Sequence, residues 1–172
     1  MKKLLLLLSL QLSTNAWAYN ESDLIKLKTL NACEGCDLSG IHLSGADLRR
    51  ANLSNANLRS VNLNDASLSH ANLSDADLSS ASLNGADLRR ANLSNANLRS
   101  ANLSDADLRN ADLEGANLIK ANLSGTSLRQ ANLHQADFSD TDLTTSNLKN
   151  AKLDNAIFCR TKMPWGKIND GC

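Results

Sequence analysis

Cysteine, histidine, arginine and aspartate are the residue types in this 172-residue chain that could do chemistry. Cys33 and Cys36 have the spacing of a redox pair or of half a zinc site, and Cys159 and Cys172 form a second pair far down the chain. His42, His70 and His134 could each act as a general base if a nucleophile and a carboxylate stood beside them. Arginines recur, twice as the doublets Arg49-Arg50 and Arg89-Arg90, and could hold an anion. Which of these groups meet depends on the elements that carry them.

Those elements follow a period of five. From residue 38 to residue 158 every fifth position is Leu, 25 positions in all, with Phe138 and Phe158 the two departures. Two residues earlier stands Ala in 19 of the 25 units, and the residue between is Asn, Asp or Ser in 22. A helix of 3.6 residues per turn would smear this Leu series over every face. A straight strand, with its period of two, would flip alternate Leu residues to the wrong side. The period fits a chain that turns a corner after each short extended segment. Ala and Leu then point inward, while the residue between them and the two corner residues point outward. Four segments close a coil of 20 residues, and coils stack by strand pairing about 4.8 Å apart into a solenoid. Residues 45–60 and 85–100 are identical, an offset of two whole coils that keeps every face in register.

Runs such as Ala91-Asn92-Leu93-Ser94-Asn95 and Ala101-Asn102-Leu103-Ser104-Asp105 resemble the A-(D/N)-L-x-x unit of pentapeptide-repeat proteins. That resemblance implies an all-β fold, a right-handed quadrilateral β-helix, here of about six coils over residues 36–158. The ends are similar to those of exported members: Cys33-Glu34-Gly35-Cys36 at the opening, and the segment from Phe158 to Gly166 with Cys172 at the close.

An open β-helix exposes strand edges at both ends. Residues 19–35 are expected to form the N-terminal cap, a short helix begun by Ser22 with Leu24, Ile25 and Leu27 toward the coil. Residues 159–172 are expected to close the other end, with Pro164 stopping strand pairing and Met163, Trp165 and Ile168 over the last coil. Phe138 and Phe158, 20 apart, are expected to stack.

Residues 1–18 read as a secretory signal: Lys2 and Lys3, the apolar run from Leu4 to Leu12, and Ala16-Trp17-Ala18 as the cleavage pattern. Nine residues cannot span a bilayer core that needs about 20. The mature chain then carries 16 basic and 18 acidic residues, too mild a balance to attract nucleic acid in general. The expected location is the periplasm or the extracellular medium. An even cysteine count there favours disulfides, Cys33–Cys36 and Cys159–Cys172, over metal binding. Closing the second loop is worth about 3 kcal/mol on the chain-entropy model.

On the solenoid the three histidines fall at unlike places in the coil and do not converge. The aspartates spread as ladders on a convex rod, and no Gly-rich phosphate loop is present. No catalytic residue, cofactor site or metal site is expected, and the chain reads as a non-enzyme. One column stands above background: Arg49, Arg89, Arg109, Arg129 and Lys149 share one face, with Ser69 between the first two. Asp47, Asp87 and Asp107 sit two residues before an arginine. The column is either a self-neutralising ladder or a stripe for an acidic protein or polyanionic surface. The leading expectation is an exported scaffold or interaction module with an unknown protein or polyanionic surface partner. The alternative is a DNA mimic that protects gyrase, as cytoplasmic members of the resembling family do through a strongly acidic surface. The oligomeric state is left open, a dimer included.

Overall fold

The computed structural model describes residues 20–168 and residue 172. The expected signal sequence and the mature terminus at Tyr19 lie outside the described residues, as does the side chain of Ile168. From Ala32 to Lys162 every fifth residue makes a parallel bridge to the residue 20 positions on, beginning with Ala32 to Asn52 and ending with Asp142 to Lys162. The chain is therefore a β-helix that takes 20 residues per turn. The segments are short. Each contributes one bridged residue, because a turn at every fifth position leaves no room for more.

The unit explains the sequence position by position. The Leu N–H donates to the coil ahead and the second residue's N–H to the coil behind, as in Leu98 N–H to Asn117 O (2.7 Å) and Asn97 N–H to Ala76 O (2.9 Å). The Leu carbonyl accepts from the next Ala, closing a β-turn, as in Ala101 N–H to Leu98 O (3.0 Å). The second turn residue is left-handed, with φ from 53° at Ser60 to 70° at Gly125. Such a turn suits Gly, Asn and Asp, yet Arg50, His70 and Gln130 adopt it too, held by the ladder. Thr145, whose Cβ is branched, does not join the left-handed series. There the ladder gives way locally, and the Gly125 N–H bonds the Thr145 hydroxyl (3.0 Å).

The Asn/Asp/Ser position has a structural role that the sequence reading missed. Its side-chain oxygen accepts the N–H two residues on, as in Ser94 N–H to Asn92 Oδ1 (3.0 Å). Along the coil axis the same groups link into ladders, as in Asn97 Nδ2 to Asp77 Oδ1 (3.0 Å).

Inside, the Leu column is sealed: Leu78, Leu98 and Leu118 are all 0% exposed, and the intervening Ala residues scarcely more. Phe138 and Phe158 stack at 5.6 Å with an interplanar angle of 8°. Where Ala gives way to Thr or Ser, the buried hydroxyl finds a carbonyl: Thr126 donates to Leu103 O and Ser146 to Leu123 O, each at 2.7 Å. Not every corner is open, for Ser54 is buried and its hydroxyl donates to Asn52 Oδ1.

The caps differ in detail from expectation. Helix α1 spans Glu21–Leu30, and its N-cap is Asn20, not Ser22: the Asn20 side chain accepts from Ser22 N–H (3.1 Å). Leu27 is buried and Leu24 half-buried, but Ile25 is 56% exposed because it lies off the face those two share. At the other end β1 (Thr161–Met163) and β2 (Gly166–Ile168) form an antiparallel hairpin. Met163 is buried there, whereas Trp165, in the turn with Pro164, is 61% exposed and does not cover the last coil. No helix among the described residues is long and apolar enough to cross a membrane.

Candidate functional site

The arginine column stands on corners that follow the bridged residues 47, 67, 87, 107, 127 and 147. Where the bridged residue is Asp, the Asx bond to the backbone is joined by a side-chain pair. Arg49 meets Asp47 (Nη2 to Oδ2 2.6 Å), Arg89 meets Asp87 (2.7 Å) and Arg109 meets Asp107 (2.6 Å). Arg89 also lies 3.7 Å from Asp107, so the charges alternate along the axis. Hydrogen bonding by Arg49 holds the Asp47 carboxyl at about 2, well below the usual carboxylate range. Arg89 lowers Asp87 in the same way. At Asp107 partial burial pushes upward, and the hydrogen bonds and charge of Arg109 outweigh it.

Farther along, the bridged residues are Ser127 and Asn147, and the cations that follow them, Arg129 and Lys149, make no ion pair among the described residues. Arg50 and Arg90, on the adjoining left-handed corners, make none either. Arg89, Arg90, Arg109 and Arg129 line a groove of about 350 Å³ together with His70 and Gln130. Side chains that share a groove can bind one extended anion in a way that scattered surface charges cannot. The column alone did not reveal the part played by His70. Its signal was that residues 50, 70 and 90 read Arg, His, Arg at one turn position.

The remaining candidates are dispersed. No histidine ring hydrogen-bonds a hydroxyl, thiol or carboxylate among the described residues; the His42 ring has Asn62 at 3.5 Å. The cysteines stand as two pairs at disulfide distance, Cys33 with Cys36 (Cα–Cα 5.3 Å) and Cys159 with Cys172 (5.1 Å). The Asp23 carboxylate lies within 4.8 Å of the first pair, and it accepts the Asp37 N–H (2.9 Å), which ties α1 to the coil.

The chain matches the family model of pentapeptide repeats in eight copies, over residues 33–65, 56–95, 71–110, 96–135, 106–144 and 126–163. Among solved structures it is similar to a pentapeptide repeat protein from Nostoc Pcc 7120, with 40% identity over 56% of this chain and 78% of that one and a TM-score of 0.50. It is also similar to a pentapeptide repeat protein from the cyanobacterium Cyanothece 51142 (28% identity, 83% and 95% coverage, TM-score 0.38). A third is a pentapeptide repeat protein from the Arabidopsis thaliana thylakoid lumen (34% identity, 64% and 68% coverage, TM-score 0.33). Comparison with curated proteins gives no match.

Proposed function

Because the chain belongs to the pentapeptide repeat family, we propose that it works as an exported, non-catalytic scaffold whose basic stripe, Arg49, Arg89, Arg109, Arg129 and Lys149, binds an acidic protein or polyanionic surface. In this reading the coil is right-handed and quadrilateral, with about six turns. Residues 1–18 are removed on export, and both cysteine pairs are oxidised in the compartment reached. The scaffold presents a stiff, straight row of cations and does no chemistry on what it holds.

One observation carries the reading: the groove in which Arg90 and Arg129, without carboxylate partners among the described residues, stand beside Arg89 and Arg109. A ladder made only for self-neutralisation would put a carboxylate before each cation, as at Asp47, Asp87 and Asp107. Ser127 and Asn147 break that rule and leave positive charge at the C-terminal half of the face. The arrangement argues against a DNA mimic, which presents carboxylates in excess.

Titration with heparin oligosaccharides tests the proposal. Binding should be measurable at low salt and weaken steeply as the screening length falls from about 10 Å at 0.1 M to about 3 Å at 1 M. Absence of binding at low salt would remove the polyanion from the reading.

A further inference from the structure

The first coil is closed on two of its four sides. Helix α1 supplies partners for Asp37, whose N–H bonds the Asp23 carboxylate (2.9 Å) and whose carbonyl accepts from Asn20 N–H (3.3 Å). The Asn52 N–H likewise reaches Asn31 O (3.2 Å). Asp47 is different. Its neighbours Ala46 and Leu48 pair forward with Ser67, at 2.9 and 2.8 Å, but its own N–H and carbonyl, which face the open end, have no partner among the described residues. Beside this edge lies a cavity of about 810 Å³ whose apolar wall is Leu27, Leu43, Ala46 and Leu48. Leu43 and Ala46 are only half-buried, unlike Leu63 (0%) and Ala66 (1%) one coil farther in. Lys28 and Arg50 stand on the rim, and Arg50 has no ion pair among the described residues.

We infer that this open edge is a docking site for an extended segment of a partner protein that alternates apolar and acidic residues. The backbone of His42 is also without a partner on this end among the described residues, but at Asp47 the unpaired edge coincides with an apolar wall and two rim cations. The segment adds one more bridged residue ahead of Asp47: the residues flanking it accept the Asp47 N–H and donate to the Asp47 carbonyl, as Ala46 and Leu48 do for Ser67 on the other side. Its apolar side chains fill the wall that Leu27 leaves uncovered. Its carboxylates meet Lys28 and Arg50, since Asp47 is already engaged by Arg49. An acyl chain would fill the wall but leave the backbone edge unpaired, and a sugar polyanion would meet the cations but not the leucines. The site adjoins the stripe, whose Arg49 also lines the cavity, but it uses the Asp47 edge, Lys28 and Arg50 and needs no binding at Arg89, Arg109 or Arg129.

The test uses the whole protein and fluorescein-labelled peptides that alternate Leu with Glu or Leu with Lys, followed by anisotropy. The Leu/Glu peptide should bind and the Leu/Lys peptide should not. Methylating alternate amides of the Leu/Glu peptide should weaken binding about tenfold, with no change to the protein. Arg50→Glu should weaken the Leu/Glu peptide by about the same factor and improve the Leu/Lys peptide, while Lys120→Gln, an exposed cation outside both this cavity and the stripe, should change neither. Failure of the Leu/Glu peptide to bind would overturn the inference. So would equal affinity for the methylated probe, indifference to Arg50→Glu, or binding of laurate in place of the peptide.

Discussion

Replacing Leu98 by Lys places a charge at the centre of the solenoid. Leu98 is 0% exposed and stacks between Leu78 and Leu118, also sealed, one coil to either side. The substitution forfeits about 1.5–3 kcal/mol of side-chain burial. It also leaves an ammonium among Leu and Ala side chains, with no buried carboxylate among the described residues, at a further penalty of several kcal/mol. The sum reaches the whole stability of an ordinary domain, about 5–15 kcal/mol. Because each coil contacts only its neighbours, damage should begin at the middle coils and spread to both sides. Limited proteolysis with thermal melting by circular dichroism is the assay. Leu98→Lys should be cleaved near the substitution and melt without a cooperative transition, or fail to fold. Ser94→Lys, at a corner beside Glu114 in the next coil, should change stability by no more than about 0.5 kcal/mol. Equal melting curves for the two variants would refute the assignment of inward and outward positions.

Asn102 Oδ1 accepts the Ser104 N–H (3.2 Å), the Ser104 hydroxyl (2.8 Å) and the Asn122 amide (3.1 Å), so Asn102→Ala should lower stability by about 1–3 kcal/mol in urea denaturation. Asp47 and Asp142 have folded-state pKa values of about 2, held down by hydrogen bonds from Arg49 and from Thr144 with Lys162 respectively. Depressed carboxylates contribute stability that is present above the unfolded value, about 3.9, and lost as pH falls toward the folded one. The melting temperature should therefore drop between about pH 4 and pH 2, and the drop should shrink in Asp142→Asn. Protein secreted by a host should begin at Tyr19 by intact mass, and unreduced peptide mapping should show Cys33–Cys36 and Cys159–Cys172. Retention of Met1 or four free thiols would remove the argument for export.

Much of the coil was legible because its repeat is rigid. A Leu every five residues admits neither a helix nor a flat strand, and the 20-residue pairing followed from the need to bring each Leu back to the same side. The stacking of Phe138 on Phe158 came from that register alone. The caps were less legible because they are not periodic. Ser22 and Asn20 are both good N-caps, and the choice between them rests on where the chain leaves the Asp37 edge, a tertiary contact. Trp165 looked like a lid residue from its composition, yet a two-residue hairpin turn turns it outward. The arginine column was visible as a list of positions. Its division into paired members (Arg49, Arg89, Arg109) and unpaired ones (Arg129, Lys149) depends on whether residue i−2 is Asp, a pattern present in the sequence whose meaning needed the Asx geometry. The open edge at Asp47 could not be read at all, because it depends on how far α1 reaches across the coil.

The proposed polyanion stripe is most directly tested by heparin retention of three proteins at low and high salt: the wild type, a variant with Arg89, Arg109 and Arg129 changed to Gln, and a control with Ser60, Ser80 and Ser100 changed to Gln. The three control serines are exposed and uncharged, and Gln130 and Gln135 show that Gln is accepted at left-handed corners on other faces. Exposed ion pairs contribute only about 0–1 kcal/mol each, so all three proteins should stay folded. The wild type and the control should be retained at low salt and released as salt rises, while the arginine variant should elute without retention. Co-elution of the arginine variant with the wild type would contradict the account and reduce the stripe to a charge ladder.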